Sequence, residues 1–432
     1  MSRYIKINNK ILSYSIALAF LMLLTGLQVN AQTRIISPYS KYGVGELNNN
    51  QLSRNIGMAG LGYGYRSNKS VNYLNPASYT KVDENSFVFE AVGYSHFYEQ
   101  KTVAQAQTSN YSSLGNIGFS FPIIGNKLAV GAGLKPYSLV GYKMLDEDVG
   151  EYAGTVNYLY EGAGGLNEVY FGTAYSLFDN FSVGVNASYL FGNIEDKVTI
   201  SSRDMEGFFS TNKISNDNIK GFLYNFGMQY ERELAENREF VMGLTYGHET
   251  NFDITRSRLI KRELPGQTGV DTLLHNSTTH DNQLSLPKKF GAGAWLKYNE
   301  NWSGGIDFDW QNWDDFRRFG DSEELQDSYN LAAGIKFSPT AATYTGFFRD
   351  ITYMGGVRYG QSYLNVNNYS FDELGMSFGI YIPFSNDNNG INLGFEYTQR
   401  GTTEQSLIKE DFYRVNIALN IHERWFIQRR FF

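Results

Sequence analysis

From Asn85 to the end of the chain, apolar residues recur at every second position in segment after segment. Phe181, Val183, Val185, Ala187 and Tyr189 alternate with Ser182, Gly184, Asn186 and Ser188, and Phe222, Tyr224, Phe226, Met228 and Tyr230 stand opposite Gly221, Asn225, Gly227 and Gln229. A period of two places the apolar set on one face of a strand and the small or polar set on the other. The pattern predicts fourteen strands, near 85–99, 111–121, 127–143, 167–178, 181–195, 218–231, 238–255, 287–298, 303–313, 327–337, 349–363, 372–384, 390–400 and 410–421. After Gln32 no run of apolar residues is long enough for a membrane helix, which needs about 20.

The connections alternate between long and short. Tight turns at Pro122–Asn126, Asp179–Asn180, Glu233–Asn237, Asn299–Asn301 and Ser385–Asn389 are separated by longer stretches, the longest being the loop expected from Arg256 to Leu286. Such alternation fits an all-β, up-and-down antiparallel barrel of about fourteen strands, with short turns at one end, long loops at the other and no open edge facing lipid. A secreted soluble sandwich or propeller is the competing architecture, although no repeat of roughly 40–50 residues marks a propeller.

Two segments precede the first strand. Residues 1–31 carry Arg3, Lys6 and Lys10, an apolar stretch from Ile16 to Leu24 and a small-residue site ending at Ala31, the layout of a secretory signal peptide. Residues 32–84 do not alternate and hold tight clusters, Gly57-Met58-Ala59-Gly60, Gly62-Tyr63-Gly64 and Asn75-Pro76-Ala77. Their glycines and the apolar Leu74, Ala77 and Tyr79 favour a packed plug over a free tail. The barrel then occupies 85–432.

Composition sharpens this picture. The chain has 432 residues, with Gly 44, Tyr 32 and Phe 31 but no cysteine, so disulfides, thiolate metal sites and a lipoprotein anchor are excluded. The aromatic wealth sits beside a mean hydropathy of −0.36, as expected when outward apolar and inward polar positions average out. The formal net charge is −7, without a basic block to track a phosphate backbone, so nucleic acid is not an expected partner. The five histidines are scattered and no nucleophile elbow or metal-protease spacing occurs, so an enzyme is not expected and no cofactor is implied. His275 and His280 share the longest loop with Asp271 and Asp281, where a solvated loop outweighs a metal site. Asp307 and Asp309 fall on one face of a strand and are read as lumen-facing rather than catalytic.

Arg54, Gly57, Met58, Ala59 and Gly60, followed by Asn75-Pro76-Ala77 just ahead of the first strand, resemble the N-terminal hatch of the FadL/TodX outer-membrane transporters of hydrophobic compounds. The hairpin around Asp179-Asn180, Leu286-Pro287 before Phe290-Gly291, and Asp307, Asp309 and Trp310 to Trp313 are similar to further parts of that family. The ending from Glu423 to Phe432 looks like Bacteroidetes-type members. The resemblance implies a fourteen-stranded barrel in the bacterial outer membrane with a lumenal hatch, in which Asn75, Pro76, Ala77, Gly57 and Gly60 act at the ligand gate. It also implies passive uptake of a small hydrophobic or amphipathic molecule, such as a lipid, fatty acid or aromatic compound, through the lumen and a lateral wall opening into membrane lipid. Pro136 lies inside the third strand and deletes a ladder hydrogen bond, so it is the candidate for that opening; the other reading is that Pro136 begins an outer loop. The polar outer loops and the inward Asn186, Asn225, Gln229, Asn416 and Asn420 suit a wetter lumen than such a ligand needs. The alternative function is a structural or assembly partner of other envelope proteins, and the barrel assembly machinery is an expected partner during biogenesis. Phe432 fits the terminal aromatic of such barrels, with residues 425–432 either continuing the last strand or forming a basic-aromatic tail.

Overall fold

A computed structural model describes residues 37–48, 52–150, 154–202, 204, 208–263, 271–339, 351–384 and 389–424. The expected signal peptide and residues 425–432 lie outside the described residues.

Fourteen wall strands follow one another antiparallel. They are β1 (Ser86–Lys101), β2 (Ala106–Ile124), β3 (Leu128–Gly150), β4 (Gly154–Phe178), β5 (Phe181–Ser202), β6 (Ser210–Ala235) and β7 (Arg238–Gly247, continued by Thr250–Glu263). The second half consists of β8 (Asp271–Leu286, continued by Lys289–Lys297), β9 (Trp302–Gln311), β10 (Ser328–Phe337), β11 (Thr352–Val366), β12 (Tyr369–Pro383), β13 (Gly390–Arg400) and β14 (Lys409–Arg424). β14 pairs with β1 from Lys409↔Lys101 to Arg424↔Ser86, which closes the barrel. All fourteen predicted strands are present.

The alternation is turned inside out relative to a soluble protein. Phe222, Tyr224, Phe226, Met228 and Tyr230 are exposed on the outside of β6, whereas Gly227 and Gln229 between them are buried. The same holds for Leu374, Met376 and Phe378 on β12, with Ser377 buried. An apolar belt of this kind is stable only where lipid covers it.

One expectation changes. The stretches read as long outer loops are mostly strand: the pairing of β3 with β4 continues to Gly150↔Gly154, and that of β7 with β8 to Glu263↔Asp271. His275 and His280 therefore lie in β8. Both faces of these outer portions meet water, so their side chains have no reason to alternate and the period-two signal fades. β6 has 26 residues and β9 only 10, about 80 Å against about 30 Å of chain. Strands β3 to β8 thus rise on one side as a tall sheet, the crown.

Residues 37–84 lie against the inward faces of the strands. A first level, from Ser37 to Asn48, packs beneath the crown with Tyr39 and Val44 in an apolar cluster with Leu166, Phe252, Trp313, Phe316 and Phe371. Trp313 and Phe316 belong to the connection between β9 and β10, which folds inward, and both are fully buried. A second level, from Leu52 to Lys81, fills the lower half.

Candidate functional site

The N-terminal segment is fastened to the wall by backbone contacts that only glycine permits. Gly57 lies against Gly379 of β12, and a Cβ added at Gly57 would stand 2.3 Å from the Gly379 nitrogen. Gly356 faces the Met58 backbone, Gly293 faces Gly64, and Gly184 and Gly227 face Pro76 and Asn75. Gly131 and Gly172 clear space for the ring of Tyr79. Inward glycines of successive strands thus line a bed for the segment.

Side chains complete the fastening. Asn75 caps the short 3-10 helix Pro76–Lys81, accepting from the Ala77 N–H at 3.2 Å, while its Nδ2 donates to Tyr63 O at 2.9 Å and Met228 O at 3.2 Å. Pro76 at the first helical position costs no hydrogen bond there. The Asp307 carboxylate of β9 accepts from the Gly62 and Tyr63 N–H groups at 2.6 and 2.9 Å. Arg54 donates to Asn420 of β14 at 2.8 Å and stacks on Tyr381 at 4.3 Å. Asn420 in turn donates to Glu90 at 2.8 Å. Tyr79 donates to Asn186 at 3.1 Å, and Asn186 donates to Tyr73 O at 2.9 Å. Burial pushes the Tyr79 hydroxyl well above the usual tyrosine range, so it stays a donor.

In the first level, Glu46 meets Arg400 of β13 at 2.8 Å, and Arg400 also holds Glu373 at 3.3 Å and Glu410 at 2.7 Å. Gly43 donates to Glu323 at 2.7 Å, whose carboxyl burial raises above the usual range against the lowering effect of Arg318. Tyr39 sits edge-on to Phe371 at 4.7 Å and donates to Ile408 O at 3.2 Å. Burial pushes its hydroxyl up to about 12. A cavity of about 150 Å³ lies between the two levels, and charged Lys289, Asp309, Arg358, Glu373, Glu396 and Arg400 border it beside apolar Leu47, Ile56, Tyr63 and Ala332.

Pro136 marks a break in the wall. Below it β2 and β3 are paired from Ile124↔Leu128 to Ile117↔Leu134; above Leu134, among the described residues, the two strands part. The ladder between β3 and β4 slips by one residue between Pro136 and Ser138. Just beyond the slip Gly165 and Gly164 pair with Leu139 and Val140, at φ +141° and +113°, a backbone that side-chain-bearing residues rarely adopt. A Cβ on Gly192 of β5 would lie 2.2 Å from Gly165 O, so the crease runs on through three strands. A cavity of about 680 Å³ opens along it, bordered by Leu134, Pro136, Leu166, Tyr189, Phe191 and Ile219. Where β2 has left, Glu46 and Leu47 pair with Leu139 and Ser138 as a short added strand.

A family model described as BamG matches residues 13–432. The chain belongs to the BamG family. Among solved structures, the Pseudomonas putida toluene transporter TodX is similar at 14% identity and TM-score 0.60, over 89% of this chain and 100% of that one. The Ralstonia pickettii toluene transporter TbuX is similar at 13% identity and TM-score 0.60, over 88% and 99%. The CymD monoaromatic hydrocarbon channel is similar at 13% identity and TM-score 0.59, over 88% and 99%. At these identities the likeness is one of fold. No curated protein matches.

In this BamG-family chain the predicted site residues are separated into two places. Gly57, Gly60, Asn75, Pro76 and Ala77 lie in the second level, and Pro136 lies at the wall crease beside the first. Asn75 and Ala77 are fully buried against wall and helix, with the backbone of the wall rather than an apolar pocket behind them. Asn186, Gln229 and Asn420, read as signs of a wet lumen, are instead the groups that bind the segment; Gln229 donates to Tyr63 O at 3.1 Å. Sequence reasoning missed Gly164-Gly165, which fall between the predicted strands 127–143 and 167–178, and missed Arg400 with its three carboxylates. The adjacent glycines just ahead of the alternation that begins near residue 167 were the available signal for the crease. The partners of Arg400 come from three separate segments, and no local pattern announces them.

Proposed function

We propose that this chain is a bacterial outer-membrane barrel that works as a closed member of an envelope assembly. The observation that carries this reading is the occupied lumen: residues 37–48 and 52–84 are bonded to the wall at two levels, and the cavity between them, about 150 Å³, mixes charged groups with Leu47, Ile56, Tyr63 and Ala332 rather than offering an apolar channel. An apolar solute gains nothing by entering such a space, since it would displace hydration from Lys289, Arg358, Glu373 and Glu396 without replacing it. Membership of the BamG family supports the barrel assembly machinery as the assembly concerned. Purification of the tagged chain from its own outer membrane in mild detergent tests the reading. Recovery in stoichiometric complex with barrel-assembly components is expected, and recovery as a lone barrel under conditions that keep other envelope complexes intact would overturn it.

A second reading is passive uptake of a small hydrophobic or amphipathic molecule. It is favoured by the parting of β2 from β3 above Leu134 and by the cavity at Pro136, where Leu134, Leu166, Phe191 and Ile219 stand among polar groups, and by the fold shared with toluene and monoaromatic hydrocarbon channels. In it residues 32–84 act as the hatch, with Gly57, Gly60, Asn75, Pro76 and Ala77 as its moving part and Pro136 beside the lateral exit. Uptake of labelled toluene or fatty acid into proteoliposomes separates the two readings: a rate above that of empty liposomes, abolished by Gly165→Val at the crease, supports transport.

A further inference from the structure

β3 leaves the barrel wall above Leu134 and runs on to Gly150 as the outermost strand of the crown. On one side it is paired with β4 throughout. On the other, its backbone groups at Tyr137 and Gly141 are met by the N-terminal segment, through Asn48 N–H to Tyr137 O at 3.0 Å and Ser37 N–H to Gly141 O at 3.1 Å. The Gly141 N–H is taken by Ser40 Oγ at 3.0 Å. Among the described residues the cover ends there. By strand alternation the next groups aimed at this edge are those of Lys143, Leu145, Glu147 and Val149, and among the described residues no strand pairs with them. Leu145 and Val149 are 56% and 78% exposed.

We propose that Lys143 to Val149 is a strand-addition site for an extended, basic segment of another envelope protein. The proposal rests on the envelope-assembly reading and gives it a surface. An unpaired strand edge offers a ready row of donors and acceptors to a second chain. The same edge already accepts an added strand at Ser138 and Leu139, so its geometry admits one. The composition of the guest follows from the host: Asp146, Glu147 and Asp148 stand on the edge, disfavouring self-pairing and acidic partners and selecting lysine or arginine at alternating positions. Leu145 and Val149 on one face call for apolar residues between those charges.

The test uses the full chain in detergent and a short synthetic peptide alternating lysine with valine and threonine. Peptide binding is expected to slow hydrogen exchange at the amides of Lys143, Leu145, Glu147 and Val149. The same peptide with aspartate for lysine is expected to bind at least about tenfold more weakly. Glu147→Pro removes a donor on the open side while leaving the β4 ladder its bonds, and should abolish protection with heat-modifiable gel mobility unchanged. Should that variant not fold, Asp146→Asn with Glu147→Gln and Asp148→Asn keeps the backbone and should weaken binding by a similar factor. Unaltered exchange at these amides, equal protection in Glu147→Pro, or disulfide-linked dimers from Glu147→Cys in this otherwise cysteine-free chain would overturn the proposal. If Glu147→Pro still co-purifies with envelope partners, the edge is not their docking site although the assembly reading stands.

Discussion

Gly57 and Gly379 are in backbone contact: a Cβ on Gly57 would be 2.3 Å from the Gly379 nitrogen, and one on Gly379 would be 2.9 Å from the Gly57 Cα. The first glycine belongs to the N-terminal segment and the second to the wall. Neither can take a side chain without driving the two apart, because the opposing atoms are main chain and have no rotamer to change.

Gly57→Ala is therefore expected to destabilise the folded barrel by about 1–3 kcal/mol. Gly355 on neighbouring β11 has nothing within 4 Å of an added Cβ, and Gly355→Ala should be close to neutral. Urea unfolding in detergent, followed by tryptophan fluorescence, reads both; equal losses would show that segment and wall are not in contact.

Asp307 binds two consecutive backbone N–H groups of the segment. Asp307→Ala leaves the Gly62 and Tyr63 amides buried without that acceptor, at a cost of about 1–3 kcal/mol each. Hydrogen exchange at these two amides should quicken, and Asp307→Asn, which keeps a carbonyl acceptor, should restore most of the protection. An unchanged exchange rate in the alanine variant would remove Asp307 from its anchoring role.

Tyr79 combines a packed ring with one hydrogen bond to Asn186. Tyr79→Phe removes only the bond and should cost about 1 kcal/mol, whereas Tyr79→Ala also leaves the space between Gly131 and Gly172 empty and should cost about 3–5 kcal/mol. If the two variants unfold at the same denaturant concentration, the ring does not fill that space.

Arg400 is the common partner of Glu46, Glu373 and Glu410. Arg400→Leu strands three carboxylates around an apolar residue and should destabilise by about 3–5 kcal/mol. Glu46→Gln leaves Arg400 two acids and should cost much less, while freeing the strand at Glu46–Leu47 from β13. The order of the two unfolding midpoints checks this, and the reverse order would mean that Arg400 is not the centre of the network.

The wall was legible in the sequence because lipid enforces its rule at every second residue: Phe222 to Tyr230 alternate since each outward position must be apolar and each inward one must fit the lumen. Where that pressure ends, so does legibility, and the crown from Met144 to Gly150 looked like loop although it is strand. The glycine clusters and the Asn75-Pro76-Ala77 cap of the N-terminal segment were visible in the sequence because they are local devices. The segment's partners were not. Asp307 and Arg400 reach it from distant strands, and pairing of that kind is decided by barrel register rather than by neighbours in the chain.

The glycine bed has a consequence for how the molecule is made. A wall whose inner face is stripped of side chains at Gly131, Gly172, Gly184, Gly227, Gly293, Gly356 and Gly379 has little of its own to hold its girth. The N-terminal segment precedes in the chain the strands that surround it. It is placed to serve as a mandrel: β14 finds β1 with the core already in hand, and the circumference of the closed barrel is gauged by what it is wrapped around.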